Sequence, residues 1–471
     1  SMSHPTIFVV LADDLGYGDM SCYGAERFKT PHMDYIAERG IRFTDMHSTS
    51  AVCTPSRYGL LTGRYCWRTW LKSFVLGGFG PPLIEPQRLT LASMLKAKGY
   101  TTAAIGKWHL GLDWKRKDGS AVSEEDPDGW KSDGFDVDYA AGFAGGPRQL
   151  GFDSYYGVAG SLDMPPYCYL ENEGVPELPK REKAYYYPQQ RKGLQSDDFV
   201  DEEVDLRLAD RAETFIDRQD SEEPFFLYVT PIAPHRPCLP PEWLKGKSNA
   251  GLREDMVLMV DHLVGRISAA LNRNGLTEDT LFIVTSDNGA RLVNYDGKDY
   301  GHKSNGDLRG GKGDIYDGGH REPLVAMWPK VIAPGTVSDE LLSLADLLAT
   351  CGELVNYDLP ADAGEDSFSF FPILRGEKPK EPIHEAVIHH SVDGMFAVRM
   401  GPWKMILGTG SGGFSEPRRY EPQNGEPPGQ LYNIEDDTRE TRNLWNDRPD
   451  IVDRFRTILT RYQNDGRSRP K

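Results

Sequence analysis

Short apolar segments alternate with amphipathic segments over the first three quarters of the chain. Continuous apolar runs, rich in β-branched and aromatic residues, predict buried strands at 6–12, 101–105, 225–230, 280–285 and 324–328. Apolar positions at helical spacing predict helices at 30–40, 90–98, 200–218, 252–271 and 341–354. This alternation predicts an α/β fold with one large, mostly parallel central sheet between helical layers.

The pattern changes after the proline- and lysine-rich segment 376–382. Closely spaced strands are predicted at 386–390, 395–400 and 403–407, and a final helix at 450–464. We therefore predict a large domain over 1–375 and a C-terminal subdomain over 376–471, a smaller antiparallel sheet plus one helix. Segment 113–151 is polar and rich in glycine without clear periodicity, so it predicts a surface insertion that is more mobile than the core.

Composition narrows the class of protein. The chain has 471 residues, 39% of them hydrophobic, and a formal net charge of −17. Such an acidic chain argues against nucleic acid and anionic membrane surfaces as partners, and no apolar run is long enough to span a membrane. The cysteines contain no CxxC pair, which indicates neither a disulfide scaffold nor a zinc site and leaves one or two disulfides open. They are Cys22, Cys53, Cys66, Cys168, Cys238 and Cys351.

Acidic and amide side chains follow two of the predicted strands. Asp13 and Asp14 come directly after the first strand, and Asp287 and Asn288 follow the strand at 280–285. The carboxyl ends of parallel strands are where ligands bind in such sheets. Four oxygen donors suit Ca²⁺ or Mg²⁺ better than Zn²⁺. A turn or helix cap is the alternative for any single one of these residues.

A cysteine stands at the start of a predicted helix in Cys53-Thr-Pro-Ser-Arg57. Pro55 favours the first turn of a helix, which places Cys53 at or next to a helix N-terminus. Arg57 returns a permanent positive charge to the same turn. Taken alone, this setting is compatible with a buried structural cysteine or with a thiol nucleophile of lowered pKa.

Several motifs together resemble those of the type I, formylglycine-dependent sulfatases, the arylsulfatase-like members of the alkaline phosphatase superfamily. They are Cys53 to Arg64, Gly106-Lys107-Trp108-His109-Leu110-Gly111, Pro234-His235-Arg236-Pro237 and the glycine-rich stretch from Gly310 to Pro323. The resemblance implies an alkaline-phosphatase-like fold and oxidation of Cys53 to formylglycine. It also implies a site for Ca²⁺, with Mg²⁺ as the alternative, formed by Asp13, Asp14, Asp287, Asn288 and residue 53.

The same resemblance implies roles for the remaining motif residues. Lys107 and Lys312 would bind the sulfate oxygens, Arg57 would stabilise the formylglycine hydrate, and His235 would assist the leaving alcohol. His109 would deprotonate the hydrate so that sulfate is expelled and the aldehyde regenerated. His320 departs from the family pattern, in which an aliphatic residue is usual, and we interpret it as a packing variation rather than a substrate contact.

The function implied is hydrolysis of a sulfate ester, with removal of O-sulfate from a sulfated carbohydrate as the expected reaction and 1–375 as the catalytic domain. The expected partners are that carbohydrate and a formylglycine-generating or sulfatase-maturating enzyme, with no nucleic acid or membrane. Ser1-Met2 resembles an expression remnant, so a signal peptide for the periplasm or secretion is presumed to have been removed.

Two alternatives stay open. A phosphonate or phosphodiester hydrolase would use the same nucleophile, and a non-catalytic glycan-binding relative would keep Cys53 as a thiol. The sugar and the sulfate position are not determined. Segments that would rim the pocket carry six residues without an assigned role: Arg148, Asp163, His302, Lys303, His389 and His390.

Overall fold

The computed structural model describes residues 4–220 and 222–471. The strands are β1 Thr6–Ala12, β2 Ile41–His47, β3 Thr101–Lys107, β4 Asp113–Trp114, β5 Phe143–Ala144, β6 Ser154–Val158, β7 Leu170–Glu171, β8 Arg181–Glu182, β9 Leu194–Gln195, β10 Phe225–Thr230, β11 Thr280–Ser286, β12 Arg321–Met327, β13 Thr336–Ser338, β14 Leu342–Ser343, β15 Val387–His390, β16 Phe396–Met400, β17 Trp403–Ile406 and β18 Gln430–Asn433.

The α-helices are α1 Pro31–Arg39, α2 Cys53–Thr62, α3 Leu91–Ala97, α4 Val204–Arg218, α5 Leu252–Arg273, α6 Leu347–Leu354, α7 Phe371–Leu374 and α8 Pro449–Asp465. Within the described residues, none of the helices is long and apolar enough to cross a membrane.

The central sheet has the strand order β13-β2-β12-β11-β1-β10-β3-β6-β7, and β14 also pairs with β2. The four middle strands β11, β1, β10 and β3 are parallel to one another. β12 runs antiparallel to both of its neighbours. The predicted large and mostly parallel sheet is therefore confirmed, and its parallel centre brings four strand ends to one edge.

Alternating side chains of β1 enter two different hydrophobic cores. Ile7, Val9 and Leu11 belong to the core that also contains residues of α2, α3 and α6. Phe8 and Val10 belong to the core that contains residues of α1, α4 and α5. A strand that is buried on both faces must be apolar throughout, and its sequence is. The sheet is thus covered by helices on each side, as predicted.

The C-terminal sheet is antiparallel in the order β15-β16-β17-β18, and α8 covers one face with Phe455, Ile458 and Leu459. The predicted small sheet plus helix is confirmed, although β18 was not predicted as a strand. The domain boundary near residue 376 stays a prediction.

Two predictions of local structure are wrong. Segment 113–151 does not lie wholly on the surface, because Trp114, Val137 and Tyr139 are buried in the first core. The predicted helix at 341–354 begins only at Leu347, because β14 pairs with β2 at 342–343 and a 3-10 turn, Leu344–Asp346, follows it. The strand β2 was not predicted, since its alternating sequence contains the polar residues Arg42, Thr44 and Asp45.

Candidate active site

The predicted strand-end residues meet at one edge of the central sheet. Asp13 and Asp14 follow β1, Asp287 and Asn288 follow β11, and His235 lies in the loop after β10. Lys107 ends β3, with His109 two residues later. Gly106 precedes Lys107 with φ of 130°, and a Cβ at this position would lie 2.1 Å from the Thr230 oxygen of the neighbouring strand. Only glycine fits this close approach.

Each carboxylate of the centre contacts a buried cation. Lys107 Nζ lies 2.8 Å from Asp13 Oδ2, and Lys312 Nζ lies 2.9 Å from Asp14 Oδ2. Arg57 donates through Nε and Nη2 to Asp287 Oδ2, at 3.2 and 2.9 Å. Three positive charges thus meet three negative charges in the protein interior, where an unpaired charge would be costly.

Burial and these cations act in opposite directions on the carboxylates. Burial opposes ionisation of Asp13, but the charges of Lys107, His235 and Arg57 outweigh it and hold the pKa of Asp13 well below its usual value. Burial raises the pKa of Asp287 to about 7, because Arg57 does not fully offset it and Asp13 adds a like charge. The cluster therefore has room for more positive charge than its own side chains supply.

Cys53 is the first residue of α2, as predicted from Pro55, and it is 3% exposed. One ligand atom each from Cys53, Asp13 and Asp287 lie within 4.8 Å of one another. Burial raises the pKa of the Cys53 thiol, although Lys107 and Lys312 oppose the shift. The thiol is therefore protonated at neutral pH, which contradicts the idea of a thiol nucleophile of lowered pKa. All six cysteines are unpaired, so neither of the disulfides left open is present.

Backbone hydrogen bonds tie the Cys53 segment to the Lys312 loop and to the small sheet. Ala51 N donates to His390 O at 3.0 Å, and Gly313 N donates to Ala51 O at 2.9 Å. Val392 N in turn donates to Gly313 O at 3.0 Å. These three contacts fix the relative positions of Cys53 and Lys312, which are far apart in sequence.

The hydrogen bonds of the two site histidines define their tautomers. His109 Nε2 contacts the Leu76 carbonyl oxygen, which can only accept, so Nε2 carries the proton. His109 Nδ1 is buried without a partner and is free to accept a proton. Burial and the Lys107 charge hold the pKa of His109 well below its usual value, so the ring is neutral.

His235 has the opposite arrangement. Its Nδ1 lies 2.6 Å from the Arg236 carbonyl oxygen and is protonated, while Nε2 faces Asp14 Oδ2 at 3.9 Å. Burial and the Lys312 charge lower the pKa of His235, whereas Asp13 and Asp14 favour its protonated form. His235 therefore presents Nε2 to Asp14, whereas His109 keeps Nδ1 as a free proton acceptor.

Three residues of this region have positive φ angles without being glycine. Asp14 has φ of 68°, His109 of 55° and Phe74 of 63°. Asn, Asp and His adopt a positive φ more readily than other non-glycine residues, whereas at a bulky residue such as Phe74 it costs about 1–3 kcal/mol, and such strain is often found at functional sites. Asp14 and His109 are site residues that the sequence predicts, whereas Phe74 was not predicted.

Phe74 and Trp130 form an aromatic pair next to Cys53. Their rings stack with centroids 5.3 Å apart, and Phe74 is 45% exposed. Trp130 Nε1 donates to Val75 O at 2.7 Å, and the Trp130 ring packs against the cluster of Val52, Cys53, Val75 and Val392. Trp130 lies in the segment that the sequence presented as an insertion, and no local pattern links it to Cys53.

The six unassigned rim residues have different environments. Asp163 lies beside the site, where it pairs with Arg236 at 3.4 Å. Arg148 and Lys303 form exposed ion pairs with Glu173 and Asp307. His302 pairs with Asp19, and His389 and His390 are fully buried in the small sheet.

Asp13, Asp14, Asp287 and Asn288 form an acidic centre, which has the oxygen donors that a hard divalent cation requires. Asp13 Oδ1 and Asn288 Oδ1 are buried without a hydrogen-bond partner. Asn288 Nδ2 donates to Asp14 Oδ1 at 2.8 Å, which orients the amide oxygen away from that carboxylate. Buried oxygen atoms without a hydrogen-bond partner, next to the carboxylates of this centre, fit Ca²⁺ or Mg²⁺, and the set of five ligands stays a prediction.

The chain is similar in sequence and in fold to proteins of known family. The Sulfatase family model matches residues 5–357. N-acetylgalactosamine-6-O-sulfatase of Bacteroides thetaiotaomicron is 32% identical over 97% of this chain and 92% of that protein. Arylsulfatase A of Homo sapiens is 32% identical over 93% of this chain and 83% of that protein. A solved structure from work on the metabolism of multiple glycosaminoglycans by Bacteroides thetaiotaomicron has a TM-score of 0.84 and 29% identity, over 98% of this chain and 100% of that one.

Proposed function

This chain belongs to the sulfatase family and is a sulfuric ester hydrolase, and we propose that it removes O-sulfate from a carbohydrate by means of a formylglycine made from Cys53. The observation that carries the proposal is the position of Cys53 at a helix start among three buried carboxylates and three buried cations. Positive charge around an acidic metal centre is what an anionic ester requires.

The chemistry of residue 53 favours the modified form. A protonated thiol is a weak nucleophile. A metal ion that prefers carboxylate and amide oxygens has little preference for a thiolate ligand. Oxidation of Cys53 to an aldehyde would give a hydrate with two hydroxyl groups. One oxygen would attack sulfur as the bond to the alcohol breaks, and loss of the proton from the other would expel sulfate and regenerate the aldehyde.

We propose that the metal ion is Ca²⁺ and that it would be held by Asp13, Asp14, Asp287, Asn288 and residue 53. When bound, such an ion supplies positive charge that favours both the anionic ester and an ionised oxygen nucleophile. Lys107 and Lys312 form ion pairs with Asp13 and Asp14. During turnover these lysines would bind the sulfate oxygens, and Arg57, held by its two hydrogen bonds to Asp287, would stabilise the formylglycine hydrate.

The tautomers of the two histidines support different roles. His109 is neutral with a free Nδ1, so it is suited to accept the proton of the second hydroxyl group in the release step. His235 would donate a proton to the leaving oxygen from Nε2, which must first be protonated. Asp13 and Asp14 are the groups that favour that protonated state.

A carbohydrate as the substrate is supported by the relatives and by the aromatic pair. The similar Bacteroides thetaiotaomicron protein is named for a sulfated sugar. Phe74 is exposed, held at a strained backbone angle and stacked on Trp130 beside Cys53. We propose that a face of the sugar ring packs on Phe74, while Arg236 and Asp163 offer polar contacts to hydroxyl groups.

Activity on aryl sulfate tests the reaction class. Protein produced with a formylglycine-generating enzyme is expected to hydrolyse an aryl sulfate faster than an aryl phosphodiester, and intact mass should show loss of the Cys53 thiol. Cys53→Ala should abolish turnover, whereas the control Cys22→Ala, at a partly exposed cysteine, should not. Better activity on the phosphodiester would favour a phosphodiester hydrolase, and an unmodified thiol with glycan binding would favour the non-catalytic alternative.

The aromatic pair is tested with defined sulfated saccharides. Phe74→Ala should lower kcat/KM for the saccharide about 2- to 10-fold, from about 0.5–1.5 kcal/mol of lost stacking, and leave aryl sulfate hydrolysis much less affected. Trp243→Ala removes another exposed aromatic ring and serves as the matched control. Equal losses on both substrates would show that Phe74 does not contact the sugar.

We further propose a periplasmic or secreted location, where sulfated polysaccharides are accessible.

A further inference from the structure

Three histidines from separate parts of the chain meet in the interior, apart from the acidic centre. His47 ends β2, His320 immediately precedes β12, and His389 lies in β15. All three are 0% exposed, and one ring nitrogen from each lies within 4.8 Å of the others. None of the three side chains has a hydrogen bond to a residue of the acidic centre. We call this group the histidine cluster.

The proton positions on two of these rings follow from their partners. His47 Nε2 lies 2.6 Å from Asp45 Oδ1, and Arg399 holds the other oxygen of that carboxylate at 2.9 Å. The ionised carboxylate can only accept, so His47 Nε2 carries a proton. His320 Nε2 lies 3.0 Å from the Ile315 carbonyl oxygen and must carry a proton for the same reason.

Lys404 does not change this assignment. Its Nζ lies 3.4 Å from His320 Nε2, but it also contacts Ile315 O at 2.8 Å, Asp317 Oδ1 at 2.9 Å and Glu440 Oε1 at 2.6 Å. An ammonium group has three protons, and these shorter contacts use all of them. His320 Nε2 is therefore a donor to Ile315.

The consequence is a conflict between the two remaining nitrogens. His47 Nδ1 and His320 Nδ1 face each other at 2.9 Å, and in neutral rings both are lone pairs. Two lone pairs at this distance repel, so the contact requires a cation between them. His389 adds a second signal, because both of its ring nitrogens are fully buried without a partner, which costs about 1–3 kcal/mol for each unsatisfied group.

We propose that His47, His320 and His389 form a second metal site, which binds a divalent transition metal ion of the Zn²⁺ type. Imidazole nitrogen is a preferred ligand of Zn²⁺. Histidine ligands commonly donate their other ring N–H to a carboxylate or a backbone carbonyl, and Asp45 and Ile315 accept here in this way. The nearby carboxylates of Asp45, Asp317 and Glu440 are matched by three cations, Lys404, Arg321 and Arg399.

The movements needed for binding are small. With bonds of about 2.05 Å, nitrogens at tetrahedral positions lie about 3.3 Å apart, so His47 and His320 must separate by about 0.4 Å. His389 now stacks on His320 with ring centroids 3.9 Å apart. Its ring must turn to direct a nitrogen at the ion, and this turn breaks no hydrogen bond because it has none.

A metal ion at this place would join three elements that support the candidate active site. His47 belongs to the central sheet, His389 to the small sheet, and His320 to the end of the loop that carries Lys312. The ion would act on stability and on the position of this loop, without contact to substrate. The proposal does not depend on the sulfatase activity.

Metal content measured on the intact enzyme tests the proposal. Wild type, His320→Leu, His389→Leu and the control His390→Leu are dialysed against low Zn²⁺ with Ca²⁺ in excess. Both ring nitrogens of His390 are also buried without a hydrogen-bond partner, but His390 is not part of the histidine cluster. Wild type and His390→Leu should hold one more Zn²⁺ per chain than the two cluster variants, and Zn²⁺ should raise Tm only in the former pair.

Equal zinc content in wild type and the cluster variants would overturn the proposal. A wild type that binds no zinc but becomes more stable on acidification would also overturn it, because a proton would then occupy the Nδ1 contact. If the cluster variants do not fold, Co²⁺ added to wild type decides the question. Tetrahedral Co²⁺ absorption that Zn²⁺ abolishes would support the site, and its absence would refute it.

Discussion

Replacing Lys312 with methionine tests the charge arrangement of the candidate active site. Lys312 is 8% exposed, and its Nζ lies 2.9 Å from Asp14 Oδ2. If this ammonium binds a sulfate oxygen during turnover, its loss removes one of two lysine charges from the transition state. Methionine keeps much of the side-chain volume, so the change is mainly one of charge.

The expected magnitude follows from distance and burial. A unit charge about 4 Å from a sulfate oxygen, at an effective dielectric constant of about 20, contributes about 4 kcal/mol. Removal of a single preorganised donor in other enzymes costs about 10²–10³ in rate. Because Lys107 remains, we expect kcat/KM for an aryl sulfate to fall about 10²- to 10³-fold. The unpaired Asp14 should also lower the free energy of unfolding by about 3–5 kcal/mol in metal-free protein.

The assay compares kcat/KM and thermal unfolding for Lys312→Met, Lys312→Arg and Lys303→Met. Lys312→Arg keeps the charge and should retain more activity than the methionine variant. Lys303 is exposed and pairs only with Asp307 at 3.0 Å, so Lys303→Met should stay within about twofold of wild type. A folded Lys312→Met enzyme within about twofold of wild type would refute a role for Lys312 in sulfate binding.

Two further predictions concern buried groups. Lys404→Met should lower the free energy of unfolding by about 3–5 kcal/mol in chemical denaturation, because Asp317 and Glu440 lose a shared buried cation. The double variant Lys404→Met/Glu440→Gln should recover part of this loss. No recovery would show that Lys404 and Glu440 do not interact. In protein made without a maturation enzyme, Cys53 should react with iodoacetamide much more slowly at pH 7 in the folded than in the unfolded protein, because burial shields its sulfur and raises its pKa. Equal rates in the two states, measured by peptide mass spectrometry, would contradict this.

The strand-end residues could be predicted from the sequence because each follows a continuous apolar run. Such a run identifies a buried parallel strand, and the residues after it must lie at the carboxyl edge of the sheet. Asp13, Lys107 and Asp287 were located in this way, and the structure brings them together. The resemblance added Lys312, which no apolar strand precedes and which reaches the site through a glycine-rich loop.

Other features could not be predicted because they depend on contacts between distant segments. Phe74 and Trp130 stack across 56 positions that include a polar, glycine-rich stretch without periodicity. His320 was recognised only as a departure from the family pattern, since nothing in its own segment indicates that His47 and His389 approach it. Their convergence requires the packing of the small sheet against the central one.

The small sheet is part of the support of the active site, even though every candidate catalytic residue precedes residue 320. The chain from Ala51 to Cys53 is positioned by a bond to His390, and the Lys312 loop by a bond between Gly313 and Val392. Cys53 and Lys312 must lie at fixed separation to contact one sulfate group. Two of the three backbone hydrogen bonds that set this separation involve residues after 376. The predicted domain boundary therefore separates the catalytic residues from part of the structure that positions them.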